Sequence, residues 1–143
     1  MHAGPQPRIT DVNRPFWDGC REGKLVLQRC ADPACARFVF YPRVCCPYCG
    51  GGALDWQQVS GSGQLQSWTI VHRPGHEAFA ADVPYVFAAV TLVEGPLIYG
   101  RLLVSPDSPM LAIGAPVRAI FPEVTSGAVL PAFEPAERMP DAA

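Results

Sequence analysis

The stretch that decides the fold reads Cys30-Ala-Asp-Pro-Ala-Cys35 and, after ten further residues, Cys46-Pro-Tyr-Cys49-Gly-Gly51. Two close pairs of cysteines at this separation can converge on one tetrahedral ion, and a site made only of thiolates favours zinc, or less often iron. We therefore predict that Cys30, Cys35, Cys46 and Cys49 bind one structural zinc. Because four protein thiolates leave no open coordination position, this metal would hold a fold and catalyse nothing.

Two alternatives to this ligand set remain open. Cys45 could replace Cys46, but the second knuckle would then have three intervening residues instead of two. The cysteines could also form disulfides, although six cysteines in 143 residues are too few for a disulfide scaffold. Residues 1–10 lack the apolar core of a signal peptide, so we predict a cytoplasmic protein, in which disulfides are rare.

Composition and charge distinguish the front of the chain from the rest. The chain is 49% hydrophobic and only 17% charged, which is typical of a protein that covers apolar surface with a partner. It has no run of eighteen apolar residues, so we predict no membrane span. Residues 8–43 carry seven basic and four acidic residues, a net charge of +3, and the remainder is net −5. The front half therefore suits a phosphate or an acidic surface.

A short helix is predicted over residues 13–21. Asn13 can cap it, Pro15 lies in its first turn and Gly23 ends it. Three apolar side chains share one face of this helix: Phe16, Trp17 and Cys20. That face either packs on the core of the domain or docks on another subunit, and the sequence leaves both interpretations open.

Beyond the cysteines the pattern changes to strands separated by turns rich in glycine and proline. The predicted strands cover residues 24–29, 54–59, 64–73, 85–93, 97–104 and 116–121, with a short edge strand at 129–133. The last five full strands predict a mainly β chain that ends in a five-stranded barrel of the OB type, with an open β-sandwich as the alternative.

These elements divide the chain into five parts. We predict a mobile N-terminus (1–12), a helix and lead-in strand (13–29), a zinc ribbon (30–53), an OB-fold (54–134) and a mobile tail (135–143).

The order of these parts resembles a family of zinc-ribbon plus OB-fold proteins associated with acyl-CoA metabolism. The matching segments include Arg14-Pro-Phe-Trp17, Glu22-Gly-Lys-Leu-Val-Leu-Gln-Arg-Cys30, Tyr41-Pro-Arg43, Cys46-Pro-Tyr-Cys-Gly50, Val59-Ser-Gly-Ser-Gly63, Ser67-Trp-Thr-Ile-Val-His-Arg-Pro74, Ile113-Gly-Ala-Pro-Val117 and Leu130-Pro-Ala-Phe133. The resemblance covers residues 13–135 and implies a rubredoxin-like ribbon. One departure is that the family has two residues between its first cysteines, where this chain has four; a distorted first knuckle or reduced metal occupancy would follow.

The resemblance implies a non-catalytic accessory subunit. Its partner would be a thiolase-like enzyme or a lipid-transfer-protein-like aldolase, a carbon–carbon lyase of steroid side-chain degradation, in a heterotetramer. Thiolases or acyltransferases of aromatic degradation and hydratases of the hot-dog fold are further partner classes that it implies. The chain would stabilise the partner and help form the passage for the acyl-CoA thioester. The candidate contacts with CoA or the partner are Arg14, Phe16, Trp17, Arg21, Lys24, Arg29, Arg37, Arg43 and His72.

Two other functions compete with this interpretation. OB barrels and zinc ribbons also bind single-stranded nucleic acid, and Trp68, Tyr85, Phe87 and Tyr99 could stack on bases, although the half that holds them is acidic. Alternatively the chain acts alone, as an acyl-CoA-binding protein or an enzyme. Candidates for its nucleophile and base are Cys45, Cys20, His72, His76, Glu77 and Asp82.

Overall fold

A computed structural model describes residues 4–124 and 127–137 of the chain. Its elements are α1 (Arg14–Arg21), β1 (Val26–Cys30), β2 (Phe38–Val39), β3 (Leu54–Gln58), β4 (Ser62–Val71), a single 3-10 turn (Glu77–Phe79), β5 (Tyr85–Leu92), β6 (Leu97–Leu102), β7 (Pro116–Ile120) and β8 (Ala132–Pro135). The strands form a three-stranded sheet and a closed barrel, so the prediction of a mainly β chain with an N-terminal helix is confirmed. None of the helices in this described part has the length and apolar character to cross a bilayer.

Helix α1 begins with Pro15 in its first turn and ends before Gly23, whose φ of +74° favours glycine. The predicted cap is wrong in detail, because the Asn13 side chain makes no hydrogen bond to the helix. Its Oδ1 instead accepts from the backbone N–H of Thr10 at 2.7 Å, and its Nδ2 donates to the carbonyl oxygen of Arg8 at 3.0 Å. Asn13 therefore orders the turn that leads into the helix.

Strand β1 is the centre of the ribbon sheet, with β2 on one side and β3 on the other, both antiparallel to it. The lead-in strand was predicted at 24–29 and lies at Val26–Cys30, so it runs directly into the first cysteine. The buried side chain of Gln28 bonds both backbone groups of Arg43: Nε2 donates to its carbonyl at 2.8 Å and Oε1 accepts from its N–H at 2.7 Å. This pair of bonds fixes the chain beyond β2 against β1.

The barrel has the strand order β4-β5-β6-β8-β7 and is closed, which confirms the predicted five-stranded barrel over the open sandwich. Its membership differs from the prediction at both ends. The strand expected at 54–59 is β3, which pairs with β1 from Cys30↔Leu54 to Val26↔Gln58 and belongs to the ribbon sheet. The expected edge at 129–133 is β8, which lies between β6 and β7 and closes the barrel.

The core of the barrel extends under the helix and the ribbon sheet. Phe16, Leu25 and Leu27 belong to the same buried cluster as barrel residues such as Leu65 and Phe133. A second, smaller cluster lies inside the ribbon and consists of Cys30, Val39 and Cys46, with Cys35 and Leu54 partly buried against it. The face of α1 therefore packs on the domain core through Phe16, which is 4% exposed, and Cys20, which is 1% exposed.

Both ends of the described chain contact the barrel. The backbone N–H of Ala128 donates to Gln6 Oε1 at 2.7 Å, and a Cβ at Gly4 would lie 3.0 Å from the Phe79 ring. Pro135, assigned to the mobile tail, is in β8, and the N–H of Ala136 donates to the carbonyl of Pro116 at 2.9 Å. The rest of the predicted mobile ends, residues 1–3 and 138–143, lies outside the described residues.

Candidate metal centre

The four predicted ligands come together at one end of the ribbon sheet. Cys30 is the last residue of β1, Cys35 follows a turn, and Cys46 and Cys49 lie on the second turn. Their four Sγ atoms all lie within 4.8 Å of one another. The Cys30–Cys49 sulfur distance is 3.6 Å and the Cys35–Cys46 distance is 3.7 Å. A tetrahedral zinc with Zn–S bonds of about 2.3 Å has sulfur–sulfur edges of about 3.8 Å, so the group fits that ion.

The long first knuckle is accommodated by a local turn. The backbone carbonyl of Asp32 accepts hydrogen bonds from the N–H of Cys35 at 3.0 Å and from the N–H of Ala36 at 2.8 Å. The side-chain Oδ1 of Asp32 accepts another from the N–H of Ala34 at 2.9 Å. Ala36 then adopts a φ of +52°, a left-handed conformation that reverses the chain toward β2. The four residues between Cys30 and Cys35 therefore fold into a turn, and the two sulfurs still converge on the second pair.

The second knuckle depends on its glycines. Gly50 has a φ of +78°, and its N–H donates to the carbonyl of Cys46 at 2.9 Å. The N–H of Gly51 lies 3.4 Å from Cys49 Sγ, within the range of a hydrogen bond to sulfur. The N–H of Cys46 donates to the carbonyl of Gly51 at 2.8 Å and closes the turn. The backbone thus directs N–H groups toward the site where thiolate charge would collect.

The thiols of the cluster differ in acidity because hydrogen bonds reach them unequally. Burial acts to raise the pKa of Cys46, but the backbone N–H groups of Cys49 and Tyr48 and the neighbouring thiols outweigh it and lower the pKa to about 7. The N–H of Asp32 acts to lower the pKa of Cys30, but burial and hydrogen bonds with the other three thiols raise it to about 12. Cys46 is therefore more acidic than Cys30, and a bound metal ion would draw the ligand thiols into the charged form.

The two remaining cysteines lie outside the cluster. Cys45 is exposed on the turn and is not among the four converging sulfurs, so the geometry selects Cys46 as the ligand. Cys20 lies on the buried face of α1. Burial raises the pKa of its thiol to about 12, which keeps the thiol neutral and unreactive. All six cysteines lie in the described ranges and none forms a disulfide there, so the disulfide alternative is wrong for this structure.

The basic residues of the front half do not form one patch. Each of the three on or near α1 lies beside an acid, at 3.5 Å for Arg14–Asp11, 4.0 Å for Arg21–Asp18 and 3.4 Å for Lys24–Glu22. On the ribbon, the guanidinium of Arg29 lies 5.0 Å from the centre of the Phe38 ring and that of Arg37 lies 4.5 Å from the centre of the Tyr48 ring. Arg29 and Arg37 line one shallow depression, together with Glu94.

The loop after β4 does not assemble a catalytic group from the described residues. His72 is exposed just beyond the end of β4. His76 caps the 3-10 turn, its Nδ1 accepting from the N–H of Ala78 at 3.1 Å. Asp82 lies 3.1 Å from Arg101 and forms an ion pair with it. The residues proposed as base or acid therefore have structural partners or stand alone, and none faces Cys45 or Cys20 through a hydrogen bond.

The structure pairs two of the aromatic residues that the sequence analysis named as candidates to stack on bases. Phe87 and Tyr99 come from adjacent strands, and their rings lie parallel on the outside of the barrel, 6.2 Å apart between centroids. An alternating pattern along each strand does not show that the two rings are neighbours. The register of β5 against β6 does, because Phe87 pairs with Arg101 and Ala89 pairs with Tyr99.

Two family models match the two parts of the chain. The model described as "ChsH2, rubredoxin-like zinc ribbon domain" matches residues 17–55, and "ChsH2, C-terminal OB-fold domain" matches residues 56–121. Among curated relatives, a "Probable enoyl-CoA hydratase alpha subunit" of Thermomonospora curvata is 37% identical over 133 residues, which is 92% of this chain and 40% of that protein. A "DUF35 domain-containing scaffold protein" of Pyrococcus furiosus is 34% identical over 88 residues, 61% of this chain and 62% of that protein.

Solved structures give the same result. The chain in the structure described as "Ltp2-ChsH2(DUF35) aldolase" is 36% identical, with a TM-score of 0.78, and the match covers 91% of this chain and 98% of that one. A DUF35-family protein of Sulfolobus solfataricus is 14% identical with a TM-score of 0.60 over 88% of this chain and 86% of that one, which shows the shared fold alone. The four-cysteine site, the closed barrel and these matches together place this chain in the DUF35 family of ChsH2-type zinc-ribbon and OB-fold proteins.

Proposed function

We propose that this chain is a non-catalytic accessory subunit of an acyl-CoA-processing complex. It stabilises a partner of the thiolase superfamily, an aldolase or thiolase of steroid side-chain or aromatic degradation, and helps form the passage for the CoA thioester. The complex is a heterotetramer of two accessory and two catalytic chains in the cytoplasm, and a hydratase of the hot-dog fold is the second partner class. Because the chain spans only 40% of the first curated relative, these assignments go beyond the shared family.

The observation that carries this proposal is the match to a chain of the structure described as "Ltp2-ChsH2(DUF35) aldolase", which is 36% identical and is covered over 98% of its length. The printed names of two further relatives support it: the scaffold protein of P. furiosus, and a "3-oxo-4,17-pregnadiene-20-carboxyl-CoA hydratase alpha subunit" of Mycobacterium tuberculosis, 33% identical over 107 residues and matched over 32% of its length. Both names place such a domain in proteins that serve as scaffolds or as one subunit of an enzyme.

The chemistry of the chain agrees with a supporting role. A closed set of four thiolates leaves a zinc ion no position for substrate or water, so when bound the metal supplies structure and no Lewis-acid step. Cys30, Cys35, Cys46 and Cys49 would hold it, and their two turns would fix the outer end of the ribbon. The partner subunit would then provide the catalytic side chains.

We assign CoA contact to Arg37 first among the candidate cations. Arg37 is exposed and shares a depression with Arg29 and Glu94. The carboxylate of Glu94 accepts hydrogen bonds from the N–H and hydroxyl of Ser60, so the two guanidinium groups could receive a phosphate. Arg14, Arg21 and Lys24 each have an acidic neighbour that offsets their charge. Arg43 and His72 are exposed and remain contact candidates, as does the half-buried Trp17, whereas Phe16 belongs to the core.

The test is co-expression of this chain with a thiolase-like aldolase of its own organism and, separately, with a hot-dog-fold hydratase of that organism. A tag on the partner should retain this chain in equal amount, and light scattering should give the mass of two chains of each kind. Cleavage of a β-hydroxyacyl-CoA by the aldolase should be lost when the chain is omitted. A chain that purifies alone and binds single-stranded oligonucleotides in a salt-dependent way would overturn the proposal.

The contact assignment has its own matched pair of variants. Within the active complex, Arg37→Gln should raise the KM for acyl-CoA by about threefold or more without changing kcat, since it removes binding that the substrate and transition state share. Arg21 is also an exposed arginine, on α1 beside Asp18, and Arg21→Gln should leave both constants unchanged. Equal effects of the two variants would show that general surface charge, and no particular site, attracts the CoA thioester.

A further inference from the structure

A cavity of about 540 Å³ lies between α1, the turn after β2 and the outer face of β5 and β6. Gly4 to Pro7 form one of its walls, and the described residues between β7 and β8 contribute another through Pro122, Leu130 and Pro131. Its size is that of sites that enclose small molecules, which span about 300–1,000 Å³. The cavity is separate from the cysteine cluster, none of whose four residues lines it.

The walls of the cavity concentrate the aromatic residues of the chain. Eight of the fourteen Phe, Trp and Tyr residues line it, among them Trp17, Tyr41, Tyr85, Phe87 and Tyr99. Phe87 is 40% exposed and Tyr99 is 45% exposed, and their rings are within 5° of parallel. Both rings line the cavity and are partly exposed, so they offer aromatic area that a planar ring system can contact by stacking or edge-to-face packing.

Charge in the cavity is balanced. Among its described lining residues Arg101 is the one cation and Asp82 the one anion, and they pair at 3.1 Å. The Arg101 side chain is 21% exposed, and its guanidinium lies 4.0 Å from the centre of the Tyr85 ring. A single cation already neutralised by a carboxylate does not attract the several phosphates of a nucleic acid, and it gives a ligand carboxylate no net attraction.

The guanidinium of Arg101 nevertheless keeps donors for a neutral acceptor. An arginine has five N–H donors, and within the described chain only an Nη2 hydrogen bond, to Asp82, engages this group. Its position is fixed from two directions, by that ion pair and by the Tyr85 ring. A fixed donor at the edge of an apolar cavity orients a ligand through one carbonyl oxygen.

We propose that this cavity binds an uncharged, planar ring compound that carries a carbonyl group, with its rings on Phe87 and Tyr99 and its oxygen accepting a hydrogen bond from Arg101. All the residues named for this site are in this chain, and its ligand binding can be measured without the partner subunit. Its test therefore stands apart from the co-expression test above.

The probe is prodan, an uncharged naphthalene ketone whose emission moves to shorter wavelength in an apolar site. Titration of the zinc-loaded chain should give saturable binding of one prodan per chain with a blue shift. The double variant Phe87→Ala/Tyr99→Ala should weaken binding at least tenfold. Tyr48→Ala removes a tyrosine that is more exposed still, on the ribbon and outside the cavity, and should leave the affinity unchanged.

Two further variants distinguish specific binding inside the cavity from nonspecific binding to an apolar surface. Leu103→Trp adds apolar area but fills the cavity, so it should abolish prodan binding although the surface becomes more hydrophobic. Arg101→Met together with Asp82→Asn removes the donor without leaving an unpaired carboxylate. It should weaken prodan, but not N-phenyl-1-naphthylamine, a similar uncharged probe that has no carbonyl group.

Zinc content and a cooperative thermal transition verify that each variant is folded. If Phe87→Ala/Tyr99→Ala does not fold, Leu103→Trp still tests the cavity. Non-saturable binding of prodan, or equal binding by Leu103→Trp, would overturn the proposal. It would also fail if prodan did not bind while Phe87→Ala/Tyr99→Ala abolished capture by the aldolase, since the aromatic surface would then be a protein interface.

Discussion

The ribbon and the barrel of this chain are stabilised in different ways. The ribbon has a core of only three buried residues, Cys30, Val39 and Cys46, and two of these are metal ligands. The barrel core includes large side chains with no exposure at all, such as Leu65, Ile98 and Phe133, and continues under α1. Burial of apolar area at about 25 cal/mol per Å² can hold the barrel, whereas the ribbon has too little of it.

We therefore expect metal binding by the cysteines to stabilise the ribbon, as burial of apolar side chains stabilises the barrel. Small modules with little apolar area commonly depend on a metal, and the binding free energy of the metal then becomes folding free energy. The two regions are also joined, since Leu25 and Leu27 extend from the ribbon sheet into the barrel core. Variants in each region can show how far the two forms of stabilisation are independent.

The largest expected effect is in the ribbon. Cys46→Ser should reduce zinc from one ion per chain to nearly none and unfold the ribbon, because structural zinc sites contribute about 10–16 kcal/mol of apparent binding free energy. Elemental analysis and thermal unfolding measure both effects. Cys45→Ser is the control, since Cys45 is exposed and outside the cluster. Loss of zinc from the control instead would exchange the two ligands.

The next effect should fall on the barrel alone. Phe133 is fully buried where β8 joins β6 and β7, so Phe133→Ala should lower the free energy of unfolding by about 3–5 kcal/mol. Urea unfolding measures the loss, and zinc content should stay at one ion per chain. A variant that loses zinc in proportion to its stability would mean that the ribbon and the barrel unfold as one unit.

A smaller effect compares one glycine in each region. A Cβ at Gly63 would lie 2.6 Å from Val90 Cγ1 and 2.7 Å from the Thr91 carbonyl oxygen, so Gly63→Ala should cost about 1–3 kcal/mol. At Gly52 a Cβ would meet nothing within 4 Å, and Gly52→Ala should change stability by less than about 0.5 kcal/mol. Similar melting temperatures for the two variants would contradict the close packing of β4 on β5.

The smallest effect concerns thiol reactivity and leaves both regions folded. In the zinc-loaded protein iodoacetamide should modify Cys45 alone, since it is exposed, whereas burial keeps Cys20 neutral with a pKa of about 12. Mass spectrometry of peptides gives the sites. Because the pKa of Cys20 is higher in the folded than in the unfolded chain, the neutral thiol stabilises the fold at neutral pH. That contribution to the free energy of unfolding is lost as the pH rises toward 12. Rapid labelling of Cys20 at pH 8 would show that α1 opens from the core.

Short-range pattern predicted much of the fold and of the metal site. The spacing of Cys46 and Cys49 identifies the second knuckle because a turn of four residues is set by its own chain and its glycines. Strands β5 and β6 begin at the predicted residues, 85 and 97, because turns rich in glycine and proline mark their ends. The helix was predicted within one residue, and only the role of Asn13 was wrong.

Long-range pairing could not be predicted in the same way. A period of two shows that residues 54–58 form a strand, but it does not say whether that strand pairs with β1 or enters the barrel. The four-residue β8 was predicted only as a short edge strand at 129–133, yet it closes the barrel between β6 and β7. Its importance comes from the two neighbours that it joins.

The sequence alone therefore determined the local features, namely the two close groups of cysteines, with Cys45 or Cys46 in the second, the positions of most strands and the mainly β class, since each depends on residues that are neighbours in the chain. The tertiary structure decided which strands pair, that Cys46 and not Cys45 joins the cluster, and that aromatic residues from Phe16 to Tyr99 surround one cavity. The physical reason is that strand pairing and cavity shape depend on contacts between distant segments, whose free energy is fixed only when the whole chain packs.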